Sequence, residues 1–137
     1  MPTPYASFGL WSRRMPASEM SAVLGLEPDE ITVRAVDLVD PPVPTSHEWM
    51  VTCRDPEKTV DEQVEDLVQR LAPYTTQIAR LAAHLEQDEC GGARLHIVRQ
   101  VNTPTAFMSD SSWRLKRQVL HFLHVTNADL NVDEIPA

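Results

Sequence analysis

Residues 59–85 constrain this chain more than any other stretch of its 137 residues. Val60, Val64, Leu67, Val68 and Leu71 recur at helical spacing, and Tyr74, Ile78, Leu81, Ala82 and Leu85 continue the stripe in phase. Thr59 offers a hydroxyl and Glu62, three residues on, a carboxylate, the signature of a capping box. A straight helix of this length would span roughly 42 Å at ~1.5 Å per residue. A compact domain of this size is only about 36 Å across. Pro73 removes a backbone donor in the middle of the stripe, so the sequence predicts a break or sharp kink there.

A helical face of this length needs a sheet to cover. In residues 5–11, Ala6, Phe8 and Leu10 fall on one side and Tyr5, Ser7, Gly9 and Trp11 on the other, as in a strand. Pro16 suits the first turn of a short helix carrying Met20, Val23 and Leu24 and ending at Gly25. Residues 31–35 read as a second strand, and Pro41, Pro42 and Pro44 make residues 37–46 an irregular loop. Residues 47–54 alternate as a third strand with Trp49, Val51 and Cys53 sharing a face. After Gly91 and Gly92, residues 93–101 form a fourth, with Leu95, Ile97 and Val101 inward, and are expected inside the sheet. Ser109 is placed as the N-cap of a helix carrying Trp113, Leu115, Val119, Phe122 and Leu123, and residues 128–135 form the last strand. The expected fold class is α+β: a single domain over residues 1–137 in the order β-α-β-β-α-β-α-β. Its sheet of about five strands should be mainly antiparallel, with helices predominantly on one face.

Three local features resemble one family, the bacterial domain of unknown function 4279. They are the strand at residues 5–8 with a short helix and Leu24-Gly-Leu-Glu-Pro28; Trp49 on a strand before an acidic helix, followed by Leu71-Ala-Pro73 and residues 78–81; and the closing helix with the strand Asp129-Leu-Asn-Val132. Together they cover nearly the whole chain. The sequence departs from the family pattern at residues 31–34, where members often carry a glycine-rich turn. The resemblance implies a fold and a bacterial or phage setting, and no chemistry.

Charge is the strongest functional lead. The formal net charge is −8, but residues 1–18 carry +2, residues 19–66 carry −10, and residues 67–137 balance. Such a field repels nucleic-acid phosphates and favours a basic partner, so direct nucleic-acid binding is not expected. Asp61, Glu62, Glu65 and Asp66 fall opposite the core stripe, and Asp55 and Glu57 extend the patch. Like charges four residues apart on a helix cost about 0.2–0.5 kcal/mol per pair. The face is either a solubilising surface or a docking surface for a basic protein. Trp49 has two readings as well, core packing or an anchor on an open sheet face.

Catalytic signatures are absent from the sequence. There is no Gly-x-Ser-x-Gly elbow and no glycine-rich phosphate cradle, and nothing singles out two carboxylates among twenty acids. His121 and His124 stand at i, i+3 and can converge, but no third ligand stands at a recognisable spacing, and His84 with Asp88, Glu89 and Cys90 reads as a polar helix end running into Gly91 and Gly92. Cys53 could meet His47 or His96 only across neighbouring strands. No catalytic residue, metal or cofactor is therefore expected. Two cysteines outside any Cys-x-x-Cys pattern, no signal-like start and no apolar run of roughly 20 residues point to the cytoplasm, away from membranes. The leading expectation is an immunity- or inhibitor-like interaction module masking a basic partner. The alternative is a small-molecule-sensing regulatory domain, and an enzyme of unknown type comes third. A monomer or weak symmetric dimer is expected, with Phe107, Met108 and Trp113 as the candidate apolar patch for self-association.

Overall fold

The computed structural model describes residues 4–35, 44–87, 91–101 and 113–136, with Val101 described by its backbone alone. The elements are β1 (Tyr5–Ser12), α1 (Ala17–Leu24), β2 (Glu30–Thr32), β3 (His47–Cys53), α2 (Val60–Leu71), a 3-10 turn (Ala72–Tyr74), α3 (Thr75–Glu86), β4 (Gly91–Val101), α4 (Arg117–Thr126) and β5 (Asp129–Pro136). The strands form one sheet in the order β2-β3-β1-β4-β5. All neighbours pair antiparallel except β4 and β5, which run parallel. The fold is α+β, as expected. No helix among the described residues is long and apolar enough to cross a membrane.

β1 occupies the centre, and its alternation sets both faces of the sheet. Ala6, Phe8 and Leu10 point to the helices and are buried. Register places Phe8 between Val51 and Leu95, and Leu10 between Trp49 and Ala93, so inward rows run across three strands. The helices close over these rows with Met20, Val64, Leu67, Leu71, Ile78, Leu81, Leu85, Val119 and Phe122 in one continuous core. Phe8 meets Phe122 edge-on with ring centroids 5.2 Å apart, and burying such a ring stabilises the fold by about 1.5–3 kcal/mol.

The helical stripe divides where Pro73 requires. α2 ends at Leu71, Ala72–Tyr74 tighten into the 3-10 turn, and α3 resumes at Thr75. Proline cannot donate to the ladder, and a single tight turn re-aims the chain while keeping the stripe on the core. The capping box forms as read: the Glu62 amide donates to the Thr59 hydroxyl, and the Glu62 carboxylate accepts from the Thr59 amide. Gly25 ends α1 at φ 67°, a left-handed conformation that favours glycine.

Several boundaries differ from the sequence reading; β4, for one, begins at Gly91 rather than residue 93, so both glycines lie in the strand. β2 covers only Glu30–Thr32 rather than residues 31–35. The last helix begins at Arg117, with Lys116 at the N-cap position and no side-chain cap, so Trp113 and Leu115 precede it on an irregular segment. That segment is held by other partners: the Arg114 amide donates to Asp61 Oδ2 at 3.0 Å, and the Arg99 guanidinium lies 5.2 Å from the Trp113 ring centroid. Ser109, Phe107 and Met108 lie outside the described residues, as do residues 36–43 of the proline loop.

Two polar contacts fasten the helix layer to the chain around it. Gln63, 1% exposed, donates from Nε2 to the carbonyls of Asp55 at 3.1 Å and Lys58 at 3.2 Å, tying α2 to the turn that precedes it. Gln63→Ala should therefore cost about 1–3 kcal/mol, the penalty for stripping a buried partner, read as a lower urea midpoint. The Arg70 guanidinium grips both oxygens of Asp29, at 2.7 and 3.0 Å, and the Thr52 amide donates to the same carboxylate at 2.9 Å. The hydrogen bond from Arg70 is the main reason that the Asp29 carboxyl titrates below its ordinary value. Its stabilising contribution is thus present above about pH 3.9, the usual unfolded aspartate value, and is lost as pH falls through the lower folded value. Both side chains are more than a third exposed, so solvent screening limits the pair to about 1 kcal/mol or less. Asp29→Asn should reduce stability at pH 7 and flatten the acid limb of a urea-midpoint profile between pH 5 and 2, roughly the window that linkage sets.

Candidate functional site

The face of the sheet turned away from the helices carries the polar chemistry. Strand alternation sends Ser7 and Gly9 of β1, Glu48, Met50 and Thr52 of β3, Arg94 and His96 of β4, and Asn131 and Asp133 of β5 to this side. A depression of about 340 Å³ opens there, and the described residues that line it are all on strands. Small-ligand pockets run from about 300 to 1,000 Å³, so this one is of a size for a ligand of few heavy atoms.

Register explains why these side chains converge. Ser7 stands opposite Thr52 on one flank and His96 on the other, and His96 stands opposite Asn131. Gly9 stands between Met50 and Arg94. A Cβ at Gly9 would come within 3.0 Å of Met50 Cγ, so the missing side chain keeps the middle of the floor low. Ser7 is buried beneath it.

Two polar side-chain pairs border this floor. Arg94 Nη2 donates to Glu48 Oε1 at 3.1 Å on the β3 side, and His96 Nε2 lies 2.7 Å from Asp133 Oδ2 on the β5 side. The Tyr5 ring meets His96 edge-on with centroids 6.0 Å apart, and the Arg54 guanidinium sits 4.0 Å above Tyr5. Thr52 Oγ1 is buried on the same face with no partner among the described residues. An unmade hydrogen bond of this kind costs about 1–3 kcal/mol. An arginine, two carboxylates and an imidazole thus stand around a low polar floor, with Met50 as an apolar wall.

The residues singled out for partner binding behave differently. Asp61 accepts the Arg114 amide, Glu62 closes the capping box, Glu65 Oε1 pairs with Lys116 Nζ at 2.7 Å, and Asp66 pairs with Lys58. Asp55 Oδ1 accepts from the Glu57 amide at 3.0 Å, and Glu57 itself is exposed. The acidic face is therefore largely engaged within the chain. Trp49 is fully buried on the helix side of β3, so it is a core residue and cannot anchor a partner. Its parity with Val51 already placed it on the apolar face.

The pairing of Cys53 with a histidine also fails on geometry. Cys53 shares the helix side with Trp49 and Val51, whereas His96 is on the open side. His47 lies six residues away along the same strand, about 20 Å at 3.3 Å per residue; its Nδ1 accepts from the Arg34 amide at 3.0 Å. His121 and His124 are both exposed on α4, and Asp88, Glu89 and Cys90 lie outside the described residues. Among the described residues no group of three or more His, Cys, Asp or Glu side chains could hold a metal ion. A wider groove of about 710 Å³ runs between α2 and α4 over Val68, Ala72 and Phe122, but the Arg117 and His121 side chains beside it are exposed and make no hydrogen bond among the described residues.

The depression was readable only in part. Arg94 and His96 alternate with Leu95 and Ile97 on a strand expected inside the sheet, and charged groups on one face of an interior strand mark that face as open. The partners Glu48 and Asp133 depend on register and on a parallel crossover that periodicity does not reveal.

An α+β fold with its described helices on one face of the sheet and a polar floor on the other is the class that this geometry defines. The chain belongs to the domain of unknown function family DUF4279, whose model matches residues 2–136. No curated protein and no solved structure matches it.

Because the acids of α2 are engaged, they are not a free surface set. Glu62→Ala removes the reciprocal half of the capping box and should lower stability by about 1 kcal/mol, visible as a reduced urea midpoint. An unchanged midpoint would return Glu62 to the role of a solubilising charge.

Proposed function

We propose that this chain is a non-catalytic domain that binds a small polar ligand on the open face of its sheet, in a sensing or regulatory role. The observation that carries this reading is the depression itself: charged and polar side chains converge over Ser7 and Gly9 on the face that no described helix covers. Pockets with a few convergent polar groups are the usual form of small-ligand sites.

An enzymatic reading of the same face is weaker. Ser7, His96 and Asp133 have the residue types of a nucleophile, base and orienting acid, and Ser7 stands beside His96 in register. Yet no hydrogen bond joins Ser7 to His96 among the described residues. The amides of the paired central strands are committed to ladder bonding, which leaves no convergent donor pair for a developing oxyanion. The masking of a basic partner has less support, since most of the carboxylates meant to carry it have partners inside the chain.

The test is a thermal-shift screen of small phosphates, dicarboxylates, amines, sugars and amino acids, followed by amide chemical-shift mapping of any hit. We expect a hit whose perturbations centre on residues 7, 9, 94 and 96 and whose effect disappears in Ser7→Leu, which fills the floor. Perturbations centred on α2 or α4, or a hit indifferent to Ser7→Leu, would move the functional site off the sheet.

A further inference from the structure

The charge pattern of the depression narrows the ligand, on the assumption that the open face is a binding site as proposed above. The Glu48–Arg94 pair differs from the Asp29–Arg70 pair elsewhere in the fold. Asp29 and Arg70 are joined by two bonds, at 2.7 and 3.0 Å, and an amide adds a third to the carboxylate, so the Asp29 carboxylate is nearly filled. Glu48 and Arg94 share a single bond of 3.1 Å, between one guanidinium nitrogen and one carboxylate oxygen. A guanidinium has five N–H donors, and a carboxylate has two oxygens with about four lone-pair positions. Most of this capacity has no protein partner at the Glu48–Arg94 pair among the described residues, and both side chains are about two-thirds to three-quarters withdrawn from solvent.

An adjacent cation and anion with spare valence match a ligand that carries an adjacent anion and cation. A simple anion would gain Arg94 but meet Glu48 and Asp133, and a simple amine would gain Glu48 but meet Arg94. We infer that the depression binds a free α-amino acid with a polar side chain, its carboxylate on Arg94, its ammonium on Glu48, and its side chain directed over Gly9 toward Ser7, His96 and Asp133. Charge-assisted hydrogen bonds of this kind are roughly twice as strong as neutral ones, and the four charges close a ring in which each sign faces its opposite. Gly9 provides the room, because any side chain there would stand between the ion pair and the far groups. Asn131 and the His96–Asp133 pair supply both donors and acceptors at the other end, which selects for a hydrogen-bonding side chain over an aliphatic one.

Isothermal titration calorimetry of the full chain with each free amino acid, its N-acetyl derivative and its carboxamide tests this. At least one polar amino acid should bind, and blocking either its amine or its carboxylate should weaken it by about tenfold or more, the scale of one lost charge-assisted contact. Arg94→Met and Glu48→Gln, which keep the side-chain stems, should each weaken the same amino acid to a similar degree, with circular dichroism confirming the fold. Asp133→Asn, at a largely exposed position, should change the ranking among polar side chains while leaving glycine unaffected. An N-acetyl derivative that binds equally well would make the site an anion site, and an equal carboxamide would make it an amine site. Either result overturns the amino-acid assignment and leaves binding on the open face standing. Failure of every amino acid, with a phosphate or sugar binding in their place, overturns the assignment in the same way. Failure of every small molecule overturns both readings.

Discussion

Packing of the inward face of β1 against the helices is the interaction on which the rest of the structure depends. β1 is hydrogen-bonded on both sides, and its Ala6, Phe8 and Leu10 side chains form the middle of every inward row. Because side chains alternate along a strand, fixing these three inward also fixes Ser7 and Gly9 outward. The apolar core and the polar floor are thus two sides of one constraint. A one-residue slip in the β1–β4 register would bury Arg94 and His96 and expose Leu95 and Ile97, so the core enforces the geometry of the floor.

The parts of the fold that were legible in the sequence are those set by local periodicity. The in-phase stripe across Pro73, the Thr59–Glu62 box, the left-handed Gly25 and the alternation of β1, β3 and β4 all follow from spacing and from simple backbone chemistry. The start of α4 was not legible, because Trp113 and Leu115 fit the helical stripe that follows them. What holds them outside the helix is a long-range bond from the Arg114 amide to Asp61, which no local pattern encodes. The floor shows the same division. Arg94 and His96 were visible as the polar half of an alternating strand, whereas Glu48 and Asp133 reach them from strands that are neighbours only in the folded sheet.

The acidic segment illustrates how composition and structure can point in different directions. An excess of −10 over residues 19–66 suggests a surface waiting for a basic partner. In the folded chain Lys58, Lys116, Arg70 and the Arg114 amide already answer four of its carboxylates. Two of these partners come from the last third of the chain, so part of the acidic helix is spent on holding the segment that leads into α4. Net charge sets the long-range field, while pairing decides which groups are free at contact distance.

The position of β5 has a consequence for how the open face holds together. Among the described residues β5 pairs on one side only, in parallel with β4, and its side chains are largely exposed. Edge elements with little buried apolar surface open locally at a fraction of the free energy needed to unfold a core. Asn131 and Asp133 are carried on this strand, whereas Ser7, Gly9, Glu48, Met50 and Arg94 are on strands inside the sheet. The face therefore consists of a rigid portion and a detachable one, and fraying of β5 would strip His96 of its carboxylate while the core remained intact. Amide exchange along residues 129–136 reports this local opening separately from global unfolding, and any molecule bridging Arg94 and Asp133 would act as a clasp, slowing exchange at the edge before it altered the melting of the whole domain.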